Sequence, residues 1–409
     1  MIRQIATLLS GNALSQLVNV ATILFVVTTF FAPTEFGRYA VLMSYVGILS
    51  SIACLRYEMS IVSARRAYVA NNMVFASLTV ASVFGMVVLV IFKLAEIFVS
   101  DAFLFGASPV IIIALVYLKA IDQVCASVLY RRESYMMYSV LKLMQAVVLL
   151  AGFVAAGVNG WGVNGLLYST VLAYAVFALA GVIVIRRYGL NTGVSLKRMV
   201  ALLRNRADFV KFNTPQALMD NFLANGLNLV IVALAGPAVV GYFSYMQRIL
   251  KAPLGLIFGA VSQVVFRFSA KNIAYPELVV SKLRQVLAVN VGILLIAGSG
   301  VLFVYGFFSE LRFLDDWVGM REYMIAFAIW MLVPFMSSSF ATLPVVYDRQ
   351  KTFFKLATTF NLLSLTMLAL IMWKGTVVAA FWTVGLMSLA YFSVLNTWVF
   401  RVAGRGRKA

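Results

Sequence analysis

Histidine is absent from all 409 residues, which excludes histidine metal ligands, general bases and proton relays. Cysteine occurs twice, as Cys54 and Cys125, each inside an apolar stretch, so neither a disulfide framework nor a thiolate cluster can form. Charge is scarce too: 11% of residues are charged, against about 25% in soluble domains, while 63% are hydrophobic. There is no GxxxxGK loop followed by Ser or Thr, so ATP is not hydrolysed by that motif, and nothing in the chain calls for a cofactor. Long connecting segments able to carry a catalytic domain are also missing.

What fills the chain is apolar sequence. Runs of about 20 residues are long enough to cross the roughly 30 Å hydrocarbon core as helices. Twelve such runs follow one another, from Leu8–Phe31 to Val377–Phe400, and predict an all-α integral membrane protein. Arg3 before the first run imitates a signal peptide. The run is too long for a signal-peptide core and no small-residue cleavage site follows, so an uncleaved first span is expected.

Lysine and arginine are retained on the cytoplasmic side of short loops, and here they alternate cleanly from loop to loop. With the N-terminus inside, twenty-five of the 33 cations fall on inner segments and five on outer ones, which places both termini in the cytoplasm. This bias accounts for most of the net charge of +19 without any nucleic-acid partner.

The three remaining cations, Lys119, Arg248 and Lys251, lie near the middle of their spans. A charge at that depth costs several kcal/mol unless it meets a partner or a wet cavity, so each is a candidate functional residue. Lys119 and Asp122 share a helix face at i, i+3, where a local salt bridge is expected. Arg248 and Lys251 also share a face but carry the same sign, so an anion is needed between them, either Asp220 or a ligand. Pro253 follows directly and should kink or break that helix; Pro334 should do the same in the tenth run. In the second run, Arg56 and Glu58 are two positions apart; on a continuous helix they point in nearly opposite directions and each needs its own partner.

Amides form stripes. Asn12, Gln16 and Asn19 in the first run, and Asn221, Asn225 and Asn228 in the seventh, repeat at i, i+4, i+7, giving each helix one polar face for a cavity lining or for helix contacts. Their recurrence points to two halves. The turns around Pro33 and Gly37 and around Pro237 and Gly241 match at an offset of 204, while the stripes match at 209. Two six-helix lobes around a central cavity are expected, residues 1–188 and 213–409, joined by a cytoplasmic amphipathic linker, 189–212. In that linker Met199, Leu202 and Leu203 share one side, with Lys197, Arg198, Arg204 and Arg206 around the rest.

The segment Phe31 to Val62, FAPTEFGRYAVLMSYVGILSSIACLRYEMSIV, resembles the first hairpin of bacterial O-antigen and capsular polysaccharide flippases, with their P-x-x-F-G-x-Y turn and an R-Y-E at the end of the second span. These are oligosaccharidyl-lipid transporters of the multidrug/oligosaccharidyl-lipid/polysaccharide exporter superfamily. The resemblance implies a transporter of the bacterial inner membrane. It would move undecaprenyl-pyrophosphate-linked oligosaccharide units, for O-antigen, capsule or exopolysaccharide, to the periplasmic leaflet by alternating access. Membrane lipids, a polysaccharide polymerase and chain-length proteins would be its partners. Arg56 and Glu58 occupy the family's R-Y-E.

On charge, Arg248, Lys251, Arg56 and Lys119 are the candidate pyrophosphate ligands, and Asp220, Asp122 and Glu58 the carboxylates able to couple transport to an ion. A cation-coupled multidrug exporter of the same superfamily would need an acidic cavity instead. A lipid II flippase is set apart from the first reading only by the R-Y-E hairpin, and a polymerase or ligase would need a large outer loop that the chain lacks.

Overall fold

The computed structural model describes residues 13–64, 66–98, 104–187, 195–347, 349–375 and 377–405, and among these there is no β-strand. The first helix, α1 (Ala13–Phe30), contains a π-helical stretch, Thr22–Val27. Hydroxyls bond backward along it: Thr22 Oγ1 donates to Val18 O at 2.8 Å and Thr28 Oγ1 to Leu24 O at 2.7 Å. Pro33 then opens α2 (Pro33–Ala53), where its missing N–H has no helical partner to lose. Glu35 closes the same turn by accepting from the Ala32 N–H at 3.0 Å.

Ten helices among the described residues are long and apolar enough to cross a membrane. The twelve apolar runs map onto them with two differences. The seventh and eighth runs follow each other without a loop, as two helices that meet at Gly236 (φ 81°, ψ 173°) and are labelled together α9, Thr214–Lys271. Such a φ suits glycine, and Pro237 restarts the helix just as Pro33 starts α2. The tenth run is interrupted at Pro334, as its sequence indicates, and so contains no uninterrupted span. Pro253 does not break the helix around it.

Residue contacts divide the chain into two units, Met1–Val232 and Ala233–Ala409. In the first, α2 is followed by a short helix α3 (Met59–Ser63), then α4 (Ala67–Phe98), α5 (Pro109–Arg131), α6 (Tyr135–Val158), α7 (Gly162–Arg187) and α8 (Leu196–Asn205). The beginning of α9 (Thr214–Lys271) completes it. α2 is its interior helix, with 67% of its span buried, and Tyr39 from α2 bonds Thr170 of α7 at 3.0 Å and meets Phe153 of α6 edge-on at 5.8 Å. The seventh run belongs with this unit because Asn228 donates to Ser44 of α2 at 2.9 Å and the Asn225 side chain lies against Gly47.

The amphipathic segment expected in the linker forms α8, with Met199 buried. It is tied down by polar contacts. Tyr57 Oη donates to Leu203 O at 3.0 Å, the Ser195 N–H to Asn72 Oδ1 at 3.0 Å, and Arg206 Nη1 to Ser63 Oγ at 3.2 Å.

The second unit holds the rest of α9 together with α10 (Pro276–Gly306), α11 (Met320–Leu332), α12 (Phe335–Ser338), α13 (Leu343–Val346), α14 (Gln350–Trp373) and α15 (Val377–Arg405). Side chains repair the broken tenth run: Asn290 of α10 donates to Ser339 Oγ at 3.0 Å, and Ser337 Oγ donates to Asn396 of α15 at 2.8 Å. α10 faces outward, with only 11% of its span buried, as expected for a helix bathed in lipid.

One close crossing makes a prediction about stability. A Cβ added at Gly157, near the end of α6, would sit 2.5 Å from Cβ and Cγ of Phe30. Gly157→Ala should therefore destabilise the purified protein by about 1–3 kcal/mol in an SDS unfolding titration, overriding the helix preference of alanine. A neutral or stabilising result would mean that α1 can move away from α6.

Candidate functional site

The second run is not one helix, and this corrects the expected geometry of Arg56 and Glu58. α2 ends at Ala53, Leu55 and Arg56 take left-handed backbone angles (φ 47° and 61°), and α3 begins only at Met59. The turn swings the two side chains to the same side, so Arg56 Nη1 lies 3.5 Å from Glu58 Oε1. Glu58 is buried, and its Oε2 has no partner among the described residues. Arg131 of α5 donates to the carbonyls of Ile61 (3.4 Å) and Ala64, satisfying the end of α3.

Asp122 has a partner that its sequence neighbours do not indicate. Lys142, from α6, forms a salt bridge with Asp122 Oδ2 and donates to Gln145 Oε1 at 3.2 Å. Tyr138 Oη donates to Asp122 Oδ1 at 3.4 Å. The ammonium also stands over the Phe177 and Tyr138 rings, 4.8 and 5.5 Å from their centroids.

Tyr138, Lys142 and Gln145 border a cavity of about 380 Å³ inside the first unit. Its walls include Gln16 and Asn19 of α1, Tyr130 of α5, Lys142 and Gln145 of α6, and Tyr174 of α7. Two members of the first amide stripe thus line a cavity, while Asn12 lies outside the described residues. Tyr138, Lys142 and Gln145 repeat the stripe's own i, i+4, i+7 spacing, the signal that could have found them.

In the second stripe Asn228 donates to Ser44 of α2, while Asn225 donates to Asn221 O at 3.1 Å and Asn221 to Ala217 O at 3.0 Å, both within α9. Asp220 is exposed on α9 and Lys119 half-buried on α5. In the second unit, Arg248 and Lys251 are both half-buried, one turn apart on the continuous part of α9. No hydrogen bond or ion pair holds the Lys251 ammonium among the described residues.

Helices of spanning length, interrupted at Gly236 and Pro334, define a multi-pass helical membrane protein. Three solved structures share that fold. The lipid II flippase MurJ in an inward closed conformation matches with a TM-score of 0.71 at 11% identity, covering 97% of this chain and 89% of its own. An inward-facing multidrug resistance MATE family transporter of the MOP superfamily matches with a TM-score of 0.57 at 15% identity, over 95% and 96%. A MOP superfamily transporter from Pyrococcus furiosus matches with a TM-score of 0.51 at 13% identity, over 100% and 96%. No curated protein matches the sequence. The chain belongs to the family described as polysaccharide biosynthesis protein, which matches residues 2–273.

Proposed function

We propose that this protein flips undecaprenyl-pyrophosphate-linked oligosaccharide units from the cytoplasmic to the periplasmic leaflet of the bacterial inner membrane by alternating access. The observation that carries the reading is the same-sign pair Arg248 and Lys251, one turn apart at mid-span, with Lys251 half-buried and held by no counter-charge. An ammonium at mid-membrane without a partner is retained at a cost, and a pyrophosphate passing through low-dielectric surroundings returns that energy. Membership of a polysaccharide biosynthesis family supports a saccharide cargo, and the fold of a lipid flippase suits a lipid-linked one. A cationic drug would meet repulsion at Arg248 and Lys251. A lipid II cargo would bring the same phosphates, so the cations do not separate it from the first reading.

In this mechanism Arg248 and Lys251 take the phosphates while the lipid tail stays in the bilayer. Arg56 and Lys119 are further cations for the same group. Asp122 and Glu58, each already opposite a cation, couple transport to protons if the cation is drawn away in one state and the carboxylate then protonates. Asp220, exposed on α9, is the third candidate for coupling. O-antigen, capsule or exopolysaccharide would be the product, and a polymerase with its chain-length protein would receive the unit.

The test is export. Replacing both Arg248 and Lys251 by Ala should abolish surface polysaccharide in the cells that depend on this protein, at unchanged protein level in the membrane. Normal export by that variant would remove both residues from the mechanism and leave the pyrophosphate reading without support.

A further inference from the structure

The cavity inside the first unit is unused by the phosphate mechanism, although its walls are rich in polar side chains. Its charge is settled: the one ammonium on its wall, Lys142, is neutralised by Asp122. What is not settled is hydrogen bonding. Gln145 is only 8% exposed and lines the cavity. Because its Oε1 accepts from Lys142, its amide orientation is fixed, yet Nε2 has no partner among the described residues. Across the cavity on α1, Gln16 Oε1 is equally without one. A buried donor and a buried acceptor left open around one space are costly unless something fills it that both accepts and donates.

We infer that this cavity is a subsite for one neutral saccharide ring of the transported unit, an inference that rests on the flippase reading above. Ionised phosphate only accepts hydrogen bonds and can serve Gln145 Nε2, whereas sugar hydroxyls both accept and donate and so satisfy Gln145 Nε2 together with the Gln16 amide in either orientation. The walls suit the rest of such a ring. Tyr130 and Tyr138 present aromatic surface, their centroids 5.3 Å apart and their planes inclined by 68°, and Tyr174 adds a third ring on the α7 side. Apolar sugar faces pack on surfaces of this kind while the rim hydroxyls reach the amides. At about 380 Å³ the cavity falls within the size range of small-molecule pockets. Water could also occupy it, since it has the polar partners that buried water needs, so the test must separate a sugar site from a hydration site.

The experiment uses the full-length protein in lipid nanodiscs and saturation-transfer NMR with four neutral probes, the methyl glycosides of glucose, galactose, N-acetylglucosamine and rhamnose. Glucuronate serves as a charged comparison, and inorganic pyrophosphate is titrated into the same samples by phosphorus NMR. At least one neutral glycoside should give a transfer signal that Gln145→Leu weakens about fivefold, the loss of one neutral hydrogen bond. Gln16→Leu, at a half-buried position on a different helix, should weaken the same signal, so the result does not depend on one variant folding. Pyrophosphate binding should survive both substitutions and disappear in the Arg248→Ala/Lys251→Ala variant. If no neutral glycoside gives a signal sensitive to Gln145 and Gln16, the cavity holds water only and the inference falls. A sensitive signal from glucuronate alone overturns the neutral assignment. Persistence of pyrophosphate binding in either case leaves the flippase reading standing; its loss from the unaltered protein would remove that as well.

Discussion

Asp122→Ala is expected to cost the folded protein about 3–5 kcal/mol, among the largest single-residue effects in the first unit. The reason is what remains, not what is removed. Lys142 would keep its charge in a helical bundle with only the Gln145 amide and aromatic faces as neighbours. Ring faces recover about 0.5–2 kcal/mol of ammonium stabilisation, which does not replace a carboxylate. Tyr138 would lose its acceptor in the same stroke. The paired substitution Asp122→Leu/Lys142→Met removes both charges, keeps the volume and should recover most of the loss. SDS titration followed by tryptophan fluorescence, run as a double-mutant cycle, measures this directly. If Asp122→Ala costs less than about 1 kcal/mol, the ammonium has found water, and the site is wetter than its geometry implies. If the paired variant is as unstable as the single one, packing rather than charge governs the site.

The apolar runs were legible because hydropathy over about twenty residues is fixed by the bilayer and hardly depends on neighbouring helices. Glycine and proline marked the breaks at Gly236 and Pro334 for the same local reason, and α8 was visible in its pattern of Met199, Leu202 and Leu203. Pairings across helices were harder to see. Lys142 reads as an inner-loop cation because it follows Arg131 and Arg132, yet α6 begins at Tyr135 and about two turns of it, roughly 10 Å, carry Lys142 to Asp122 on α5. The stripe of Asn221, Asn225 and Asn228 looks the same in sequence as that of Gln16 and Asn19. Only the packing decides that one grips α2 while the other faces open space.

The end of the second run was the least legible part, since SIACLRYEMS contains neither glycine nor proline to announce that the helix stops at Ala53. Left-handed Leu55 and Arg56 are held by what surrounds them, including the Tyr57 bond to α8 and the ion pair to Glu58. From this follows the second large effect. Arg56→Ala should destabilise the protein by about 2–3 kcal/mol, less than a fully enclosed pair would lose because Arg56 is 31% exposed, but substantial because Glu58 is left buried without its cation. Arg56→Gly removes the same charge while relieving a backbone angle that costs a residue with a Cβ roughly 1 kcal/mol, so it should be about that much more stable than Arg56→Ala in the same SDS titration. Combining either with Glu58→Gln should restore much of the remainder, since a neutral amide has no charge to compensate. Equal stabilities for the Ala and Gly variants would mean that the turn relaxes to ordinary angles once the arginine is gone. The left-handed turn would then be a product of the ion pair, not the support that creates it.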